Sequence, residues 1–189
     1  MELSSGGPLL LPDQPGAHPH LVLGAGKGGN LYVVDRDAMG HFNAASDNQI
    51  VQELVNIFPK GVPEAFWTAP VVFGNRVYFG PNNDTVQAFS LTNGLLSTAP
   101  VSHTTLVYDF PGAMMSVSAN GTANGILWSA QRTPAGPGVL HAYDPLDLTK
   151  ELYSGALPDV LTKFTTPTVA NGRVYVATLS QLAVFGLLP

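Results

Sequence analysis

The chain contains FTTPTVANGRVYVATLSQLAVF at residues 164–185 and WTAPVVFGNRVYFGPNNDTVQAF at residues 67–89. Both stretches place a proline before an apolar run, an Asn/Gly turn before a β-rich run, and an aromatic residue at the end of an alternating run. The two stretches are therefore copies of an internal repeat. The corresponding segments are Ala69-Pro70 and Thr166-Pro167, Arg76-Val77-Tyr78 and Arg173-Val174-Tyr175, and Val86–Phe89 and Leu182–Phe185.

Each copy predicts three short antiparallel strands, because β-rich runs alternate with turn residues. A sheet of that size cannot bury its faces alone, so the repetition predicts that small sheets stack radially or in a line. Two further units have second-strand centres at Val22 and Leu127, in addition to those at Tyr78 and Tyr175. The four centres lie 56, 49 and 48 residues apart. Such intervals suit four-stranded propeller blades.

The sequence thus predicts a single all-β domain, a β-propeller of about four antiparallel blades, either a small closed propeller or half of a larger one. The predicted blades are residues 1–58, 59–103, 104–157 and 158–189. Residues 48–58 carry apolar side chains near helical spacing, which predicts a short helix or an outer strand with a loop. The last blade shows no evident fourth strand, so either residues 2–5 supply it by circular closure or it is missing.

Composition excludes several classes of function. The chain of 189 residues is 45% hydrophobic and 11% charged, which is typical of a globular protein. Its net charge of −5 is spread without runs and leaves no electrostatic footprint for nucleic acid or an anionic membrane. No cysteine is present, which excludes disulfides, thiolate catalysis and cysteine-ligated metals. The first residues have no signal-peptide pattern, so we expect the chain to stay where it is made.

The strand ends carry a family resemblance. The segments AFSLTNG (88–94) and AYD (142–144) resemble the strand-ending signature of pyrroloquinoline-quinone (PQQ) type propeller repeats, in which Ala-x-Asp is followed by Thr-Gly. The segment LYVVDRD (31–37) resembles the same signature less closely. Together with TTPTVANGRVYV and the closing VFGLLP, they look like the carboxy-terminal half of bacterial quinoprotein-like propellers. The resemblance implies a propeller fold, and a periplasmic or secreted location if the chain is a fragment of such a parent.

This chain also departs from the PQQ family. Full quinoprotein dehydrogenases resemble it over half of their eight blades only, and it has no cysteine pair to flank a quinone. We therefore expect no bound quinone in this chain alone. The repeat motifs recur in enzymes and in non-enzymatic assembly factors, so they do not decide the activity.

The predicted site lies on the propeller face that gathers the connections into each first strand and the turns between second and third strands. The predicted metal ligands there are Glu64, Asn82, Asp84 and Asp109. Carboxylate and amide oxygens suit calcium, which can polarise a carbonyl and lower the pKa of bound water. His103 is the predicted general base. The competing interpretation is that residues 82–84 form only a turn, because Asn and Asp bond their own backbone. Other polar residues assigned to this face are Asn83, Asp159 and Lys163, with Asp37 and His41 farther out.

Three functions remain open on these residues. The first is calcium-dependent hydrolysis of a small-molecule lactone or ester. The acidic and amide side chains assigned to the predicted face are of the same types as the metal ligands of propeller lactonases. The second is a non-catalytic module that binds a partner through exposed edge strands. The third is a fragment of a PQQ-dependent dehydrogenase-like propeller that needs a second half. An open half-ring would also predict a homodimer through its uncovered blades.

Overall fold

Short β-rich runs separated by Asn and Gly turns fold into antiparallel sheets in the computed structural model, which describes residues 3, 5–58 and 65–186. At the turn before Arg173, for example, Asn171 and Gly172 have φ values of 50° and 70°. Asparagine and glycine tolerate this left-handed conformation, which lets the chain reverse direction in two residues. Within the described ranges no segment is helical. Consequently none of those residues forms a helix long and apolar enough to cross a membrane.

Sixteen strands form four sheets in the described residues. The first sheet contains β1 (Leu9–Leu10), β2 (Leu21–Ala25), β3 (Leu31–Asp35) and β4 (Gln52–Leu54). The second contains β5 (Val71–Phe73), β6 (Arg76–Phe79), β7 (Asp84–Thr92), β8 (Leu95–Leu96) and β9 (Ser102–Tyr108). The third contains β10 (Met114–Asn120), β11 (Ala123–Gln131), β12 (Val139–Asp144) and β13 (Asp147–Ala156). The fourth contains β14 (Thr168–Ala170), β15 (Arg173–Ala177) and β16 (Leu182–Gly186).

Each sheet is a propeller blade whose strands pair antiparallel in chain order. In the second blade, β8 and β9 both pair with β7, so together they form the outer edge. The fourth blade ends at β16 in the residues that the structure covers. The predicted all-β propeller of four blades is confirmed, and its last blade has three described strands.

One predicted boundary changes, and one open alternative is decided. The predicted division between residues 103 and 104 cuts through β9, because this strand continues to Tyr108 as the outer strand of the second blade. For residues 48–58 the structure shows the outer-strand alternative, β4. The Ser5 hydroxyl donates to the Phe66 carbonyl at 2.6 Å, which places it beside the second blade rather than along β16. The remainder of the predicted closing segment, apart from Leu3, lies outside the described residues.

Three hydrophobic cores hold the four blades together. The first core joins blades 1 and 2 through residues such as Val33 and Val77, and the second joins blades 2 and 3 through Tyr78 and Leu127. The third joins blades 3 and 4 through Leu140 and Val174. Among the described residues there is no fourth core between blades 4 and 1. The ring of described blades is therefore open. We call the side of a blade that looks toward the next blade in the chain its forward face, and the other its back face.

Candidate functional site

Two of the predicted metal ligands occupy neighbouring positions at one end of the second blade. Asp84 is the first residue of β7 and pairs with Tyr108 of β9, and Asp109 follows Tyr108 directly. The Asn83 N–H donates to the Tyr108 carbonyl at 2.9 Å, which fixes the turn against β9. Asp109 is exposed. The structure thus brings two carboxylates to one part of the predicted rim.

The segment around Asp84 is also a well-bonded turn. One carboxylate oxygen of Asp84 accepts the Thr85 N–H at 2.7 Å, and the other accepts the Gln87 side-chain amide at 2.8 Å. Asn82 is buried, and its backbone N–H donates to the Ala65 carbonyl at 2.9 Å. Asn83 has a φ of 54°, as a turn residue. These bonds support the turn interpretation of residues 82–84 without excluding a further ligand on Asp84.

The structure places the predicted general base, His103, within a strand. This residue lies within β9, where it pairs with Gln87, rather than in a connection at the rim. Its ring is exposed, and its Nδ1 lies 3.0 Å from the Thr104 carbonyl oxygen. Gln87 is three residues from Asp84, which is roughly 10 Å along an extended strand. The reason is that the outer strand of the second blade occupies residues 102–108, so His103 lies inside the blade and not in a connection.

Glu64 lies outside the described residues. In the part of the chain that the structure describes, no three His, Asp or Glu side chains gather as metal ligands would. Asp159, also assigned to the rim, accepts hydrogen bonds from the hydroxyl and backbone N–H of Ser180. The Ser180 hydroxyl is the main reason that the pKa of Asp159 is lowered. Asp159 thereby ties the connection between the third and fourth blades to the turn after β15.

The most buried polar cluster lies between blades 2 and 3. Burial raises the pKa of the Tyr108 hydroxyl, which hydrogen-bonds the Ser129 hydroxyl at 2.5 Å. His141 contacts Glu151 through Nδ1 at 2.6 Å and Gln131 through Nε2 at 3.1 Å. Both imidazole nitrogens therefore already have protein partners. The Tyr108–Ser129 contact ties blade 2 to blade 3, and His141 ties three strands within blade 3. The geometry suits a structural role for His141 better than that of a general base.

The outer edge of β16 is open in the described residues. The Thr178 N–H donates to the Gln181 carbonyl at 2.8 Å and closes the hairpin between β15 and β16. Because hydrogen-bonded and non-hydrogen-bonded pairs alternate along an antiparallel ladder, the backbone groups of Leu182, Val184 and Gly186 point away from β15. In the other three blades the third strand is paired on that side by β4, by β8 and β9, or by β13. The fourth blade thus presents a row of donors and acceptors.

A cleft of about 570 Å³ lies beside this edge, between blades 3 and 4. Three aromatic side chains line it, Trp128, Tyr153 and Phe185. The Trp128 indole N–H donates to the Ser118 hydroxyl at 2.8 Å, and the rings of Tyr153 and Phe185 meet edge to face with centroids 6.2 Å apart. Arg173 also lines the cleft and is exposed. Apolar walls of this kind suit a small apolar group.

The fold is that of known β-propellers. The chain is similar in structure to BamB from Moraxella catarrhalis, with a TM-score of 0.58 and 18% identity, over 96% of this chain and 46% of BamB. It is similar to the computationally designed protein Ika8, with a TM-score of 0.56 and 14% identity, over 97% of this chain and 45% of Ika8. A third neighbour, from Bacteroides fragilis, is provisionally named a 6-phosphogluconolactonase. Its TM-score is 0.52 and its identity 19%, over 95% of this chain and 51% of that one.

The chain therefore spans about half the length of these neighbours. At these identities the likeness establishes the propeller fold. Neither a protein-family model nor a curated protein sequence matches the chain.

Proposed function

We propose that this chain is a non-catalytic propeller module that binds an extended peptide segment of a partner protein along β16. The peptide would take the place of a fourth strand in the last blade. The observation that carries the proposal is the open edge of β16 beside an aromatic cleft. In strand addition, backbone hydrogen bonds supply affinity and pockets for alternate side chains supply specificity.

The cleft suggests which peptides fit. Phe185 points toward blade 3 and packs on the core between blades 3 and 4. A peptide strand beside β16 would turn every second side chain to the same side, into the space between Phe185, Tyr153 and Trp128. An apolar or aromatic side chain would fill that space. The preferred ligand is therefore an alternating strand with an apolar anchor.

A segment of the chain itself can serve as a model for such a peptide. In the second blade, Val86–Phe89 is the repeat counterpart of Leu182–Phe185 in β16. The strand β9, residues 102–108, pairs with β7 across that counterpart. A synthetic peptide with the sequence SHTTLVY is thus a suitable first probe.

Hydrogen exchange of single amides tests the proposal. Addition of SHTTLVY should slow exchange at Leu182, Val184 and Gly186, whose N–H groups face the open edge. The amides of Ala183 and Phe185 face β15 and should change little. A matched pair of variants sharpens the test. Val184→Pro removes one outward donor at an edge position where proline is tolerated, whereas Val184→Ala keeps that donor. Binding should be lost in Val184→Pro and kept in Val184→Ala; equal binding by both would contradict strand addition.

The second candidate function is calcium-dependent hydrolysis of a lactone or an ester. The adjacency of Asp84 and Asp109 favours it, because clustered carboxylates attract a hard cation such as calcium. In this proposal Asn82 and Glu64 would complete the ligand set, and a water on the metal would attack the carbonyl. His103, displaced along β9, would need a bridging group to serve as the base. A panel of lactones and esters assayed with calcium and with a chelator separates this candidate from the binding module.

A further inference from the structure

We propose that two copies of this chain close into one ring of eight blades, in which the forward face of each fourth blade packs on the back face of the partner copy's first blade. These faces are separate from the outer edge of β16. The inference therefore stands or falls independently of peptide binding.

The contact between blades 2 and 3 supplies the template. Arg76 of β6 donates to the Leu146 carbonyl at 2.6 Å, and the Tyr78 hydroxyl donates to the Pro145 carbonyl at 2.8 Å. The turn that offers these carbonyls is held by Asp144, whose Oδ1 accepts the Leu146 N–H at 2.8 Å. Two donors on the forward face of blade 2, Arg76 and Tyr78, thus bind the turn that follows the third strand of blade 3. Asp144 stabilises that turn.

The donor half of this contact recurs on blade 4, and the turn half recurs on blade 1. On blade 4, Arg173 and Tyr175 are the repeat counterparts of Arg76 and Tyr78. Neither side chain has a hydrogen-bond or ion-pair partner among the residues that the structure describes. On blade 1, Asp35 Oδ1 accepts the Asp37 N–H at 2.8 Å, which reproduces the turn held by Asp144.

Arg173 and Asp37 are opposite in charge. Asp37 occupies the position that corresponds to Leu146, so docking on the template would bring Arg173 to an acidic residue. The Asp37 side chain is 63% exposed, and the carboxylate contacts His20 at 2.6 Å. Attraction between Arg173 and Asp37 would fix the register of the two faces.

The apolar surfaces of the two ends match the same template. On the forward face of blade 2, Val86 and Ala88 are both 0% exposed. Their counterparts on blade 4, Leu182 and Val184, are 61% and 48% exposed. Exposed apolar rows of this kind indicate an interaction surface.

The back face of blade 1 corresponds in the same way to the back face of blade 3. In blade 3 the residues that meet Val86 and Ala88 include Val117, Leu127 and Tyr143. Their counterparts on the back face of blade 1 are Leu10, Val22 and Val34, of which Leu10 is 62% exposed and the other two are partly buried. The chain therefore carries both an apolar face and the surface that fits it.

A second copy of this chain carries a partner for each of the two surfaces, the forward face of blade 4 and the back face of blade 1. BamB and Ika8 each match nearly the whole chain with less than half of their own length, so four blades of this kind correspond to about half of those two proteins. Two copies related by a two-fold axis along the ring would make the same contact twice and leave no face uncovered.

The mass of the full chain in solution tests the inference, by sedimentation or light scattering over a dilution series. We expect a species of twice the 19.9 kDa chain mass. Val184→Lys and Leu10→Lys, on opposite ends, should each give a monomer, because every dimer uses both faces. Both positions are exposed in the single chain, so both variants should fold. Leu152→Lys, at a residue 55% exposed on β13, is the matched control and should remain a dimer.

A charge exchange tests the register. Arg173→Asp should weaken dimerisation by roughly tenfold, since like charges then face each other twice per dimer. The double variant Asp37→Arg/Arg173→Asp should recover most of that loss. A monomer at every concentration would overturn the inference, as would mass that keeps growing with concentration. A dimer sensitive to Val184→Lys but not to Leu10→Lys would also overturn it, because blade 4 would then pack on blade 4.

Discussion

Tyr78 and Tyr175 occupy the same position in two copies of the repeat, but only Tyr78 is covered by a following blade. Tyr78 is fully buried and its hydroxyl donates to the Pro145 carbonyl. Tyr175 lies partly buried on the forward face of blade 4. The same side chain thus stabilises the fold at one position and is left available at the other.

Removal of the two hydroxyls should therefore have unequal effects. Tyr78→Phe leaves the Pro145 carbonyl without its donor and should lower the free energy of unfolding by about 1 kcal/mol. Tyr175→Phe should change it by less than about 0.5 kcal/mol. Urea unfolding in the Val184→Lys background, which removes any contribution from association, measures both. Equal losses would mean that Tyr175 has a partner within the single chain.

The two repeated valines should contribute alike, because both are buried on back faces. Val77 is 0% exposed in the first core, and Val174 is 4% exposed in the third. Val77→Ala and Val174→Ala should each cost about 1–3 kcal/mol, through lost apolar burial and the cavity that remains. Chemical denaturation measures the loss. Val184→Ala on the exposed forward face is the control and should cost much less in the monomer.

Alkaline pH should destabilise the fold. Burial raises the pKa of the Tyr78 hydroxyl from 10.0 to about 12, and it also raises the pKa of Tyr108 and Tyr143. Above pH 10 the unfolded chain loses these protons while the folded chain keeps them, so stability falls as pH rises from about 10 to about 12. Tyr78 alone contributes a loss of up to about 1.4 kcal/mol per pH unit over that range.

Tyr78→Phe isolates the contribution of this one residue. The stability difference between the wild-type chain and this variant should shrink as pH rises through that window. A difference that is constant from pH 8 to 12 would contradict the raised pKa.

Calcium binding at the rim should be visible as stabilisation of the fold. A ligand that binds only the folded chain raises the unfolding free energy by about 2.7 kcal/mol at a hundredfold excess over its Kd. Asp109→Asn should abolish that gain, because it removes an exposed carboxylate beside Asp84. Asp47→Asn makes the same charge change on an exposed loop and should preserve it. Thermal unfolding with calcium and with a chelator decides between these outcomes, and identical melting curves would remove the metal from the hydrolase proposal.

The inner strands could be predicted from the sequence because their signals are local. Residues such as Asn171-Gly172 mark turns, and the alternation around Val77 and Val174 marks the buried side of a strand. The predicted second-strand centres Val22, Tyr78, Leu127 and Tyr175 lie within β2, β6, β11 and β15. The correspondence of the two repeat copies holds in the structure, where Val77 and Val174 both face the preceding blade.

The outer strands and the site could not be predicted as well, since they depend on contacts between distant segments. The position of His103 depends on how β9 pairs with β7 across a register shift between Thr85 and Gln87. The cleft gathers Trp128, Tyr153 and Phe185 from three different strands and two blades. The one sequence signal for it was the lack of an evident fourth strand in the last blade.

Three cores among four blades also determine how the chain loses structure. Each blade contacts only its neighbours, so stability is close to a sum of nearest-neighbour terms, as in linear repeat proteins. Blade 4 has one neighbour and three described strands, whereas blades 2 and 3 have two neighbours each. Local unfolding should therefore start at blade 4 and spread inward toward β10 and β11. A partner that covers blade 4 would then raise the kinetic barrier to proteolysis of the whole chain, although it touches only one end.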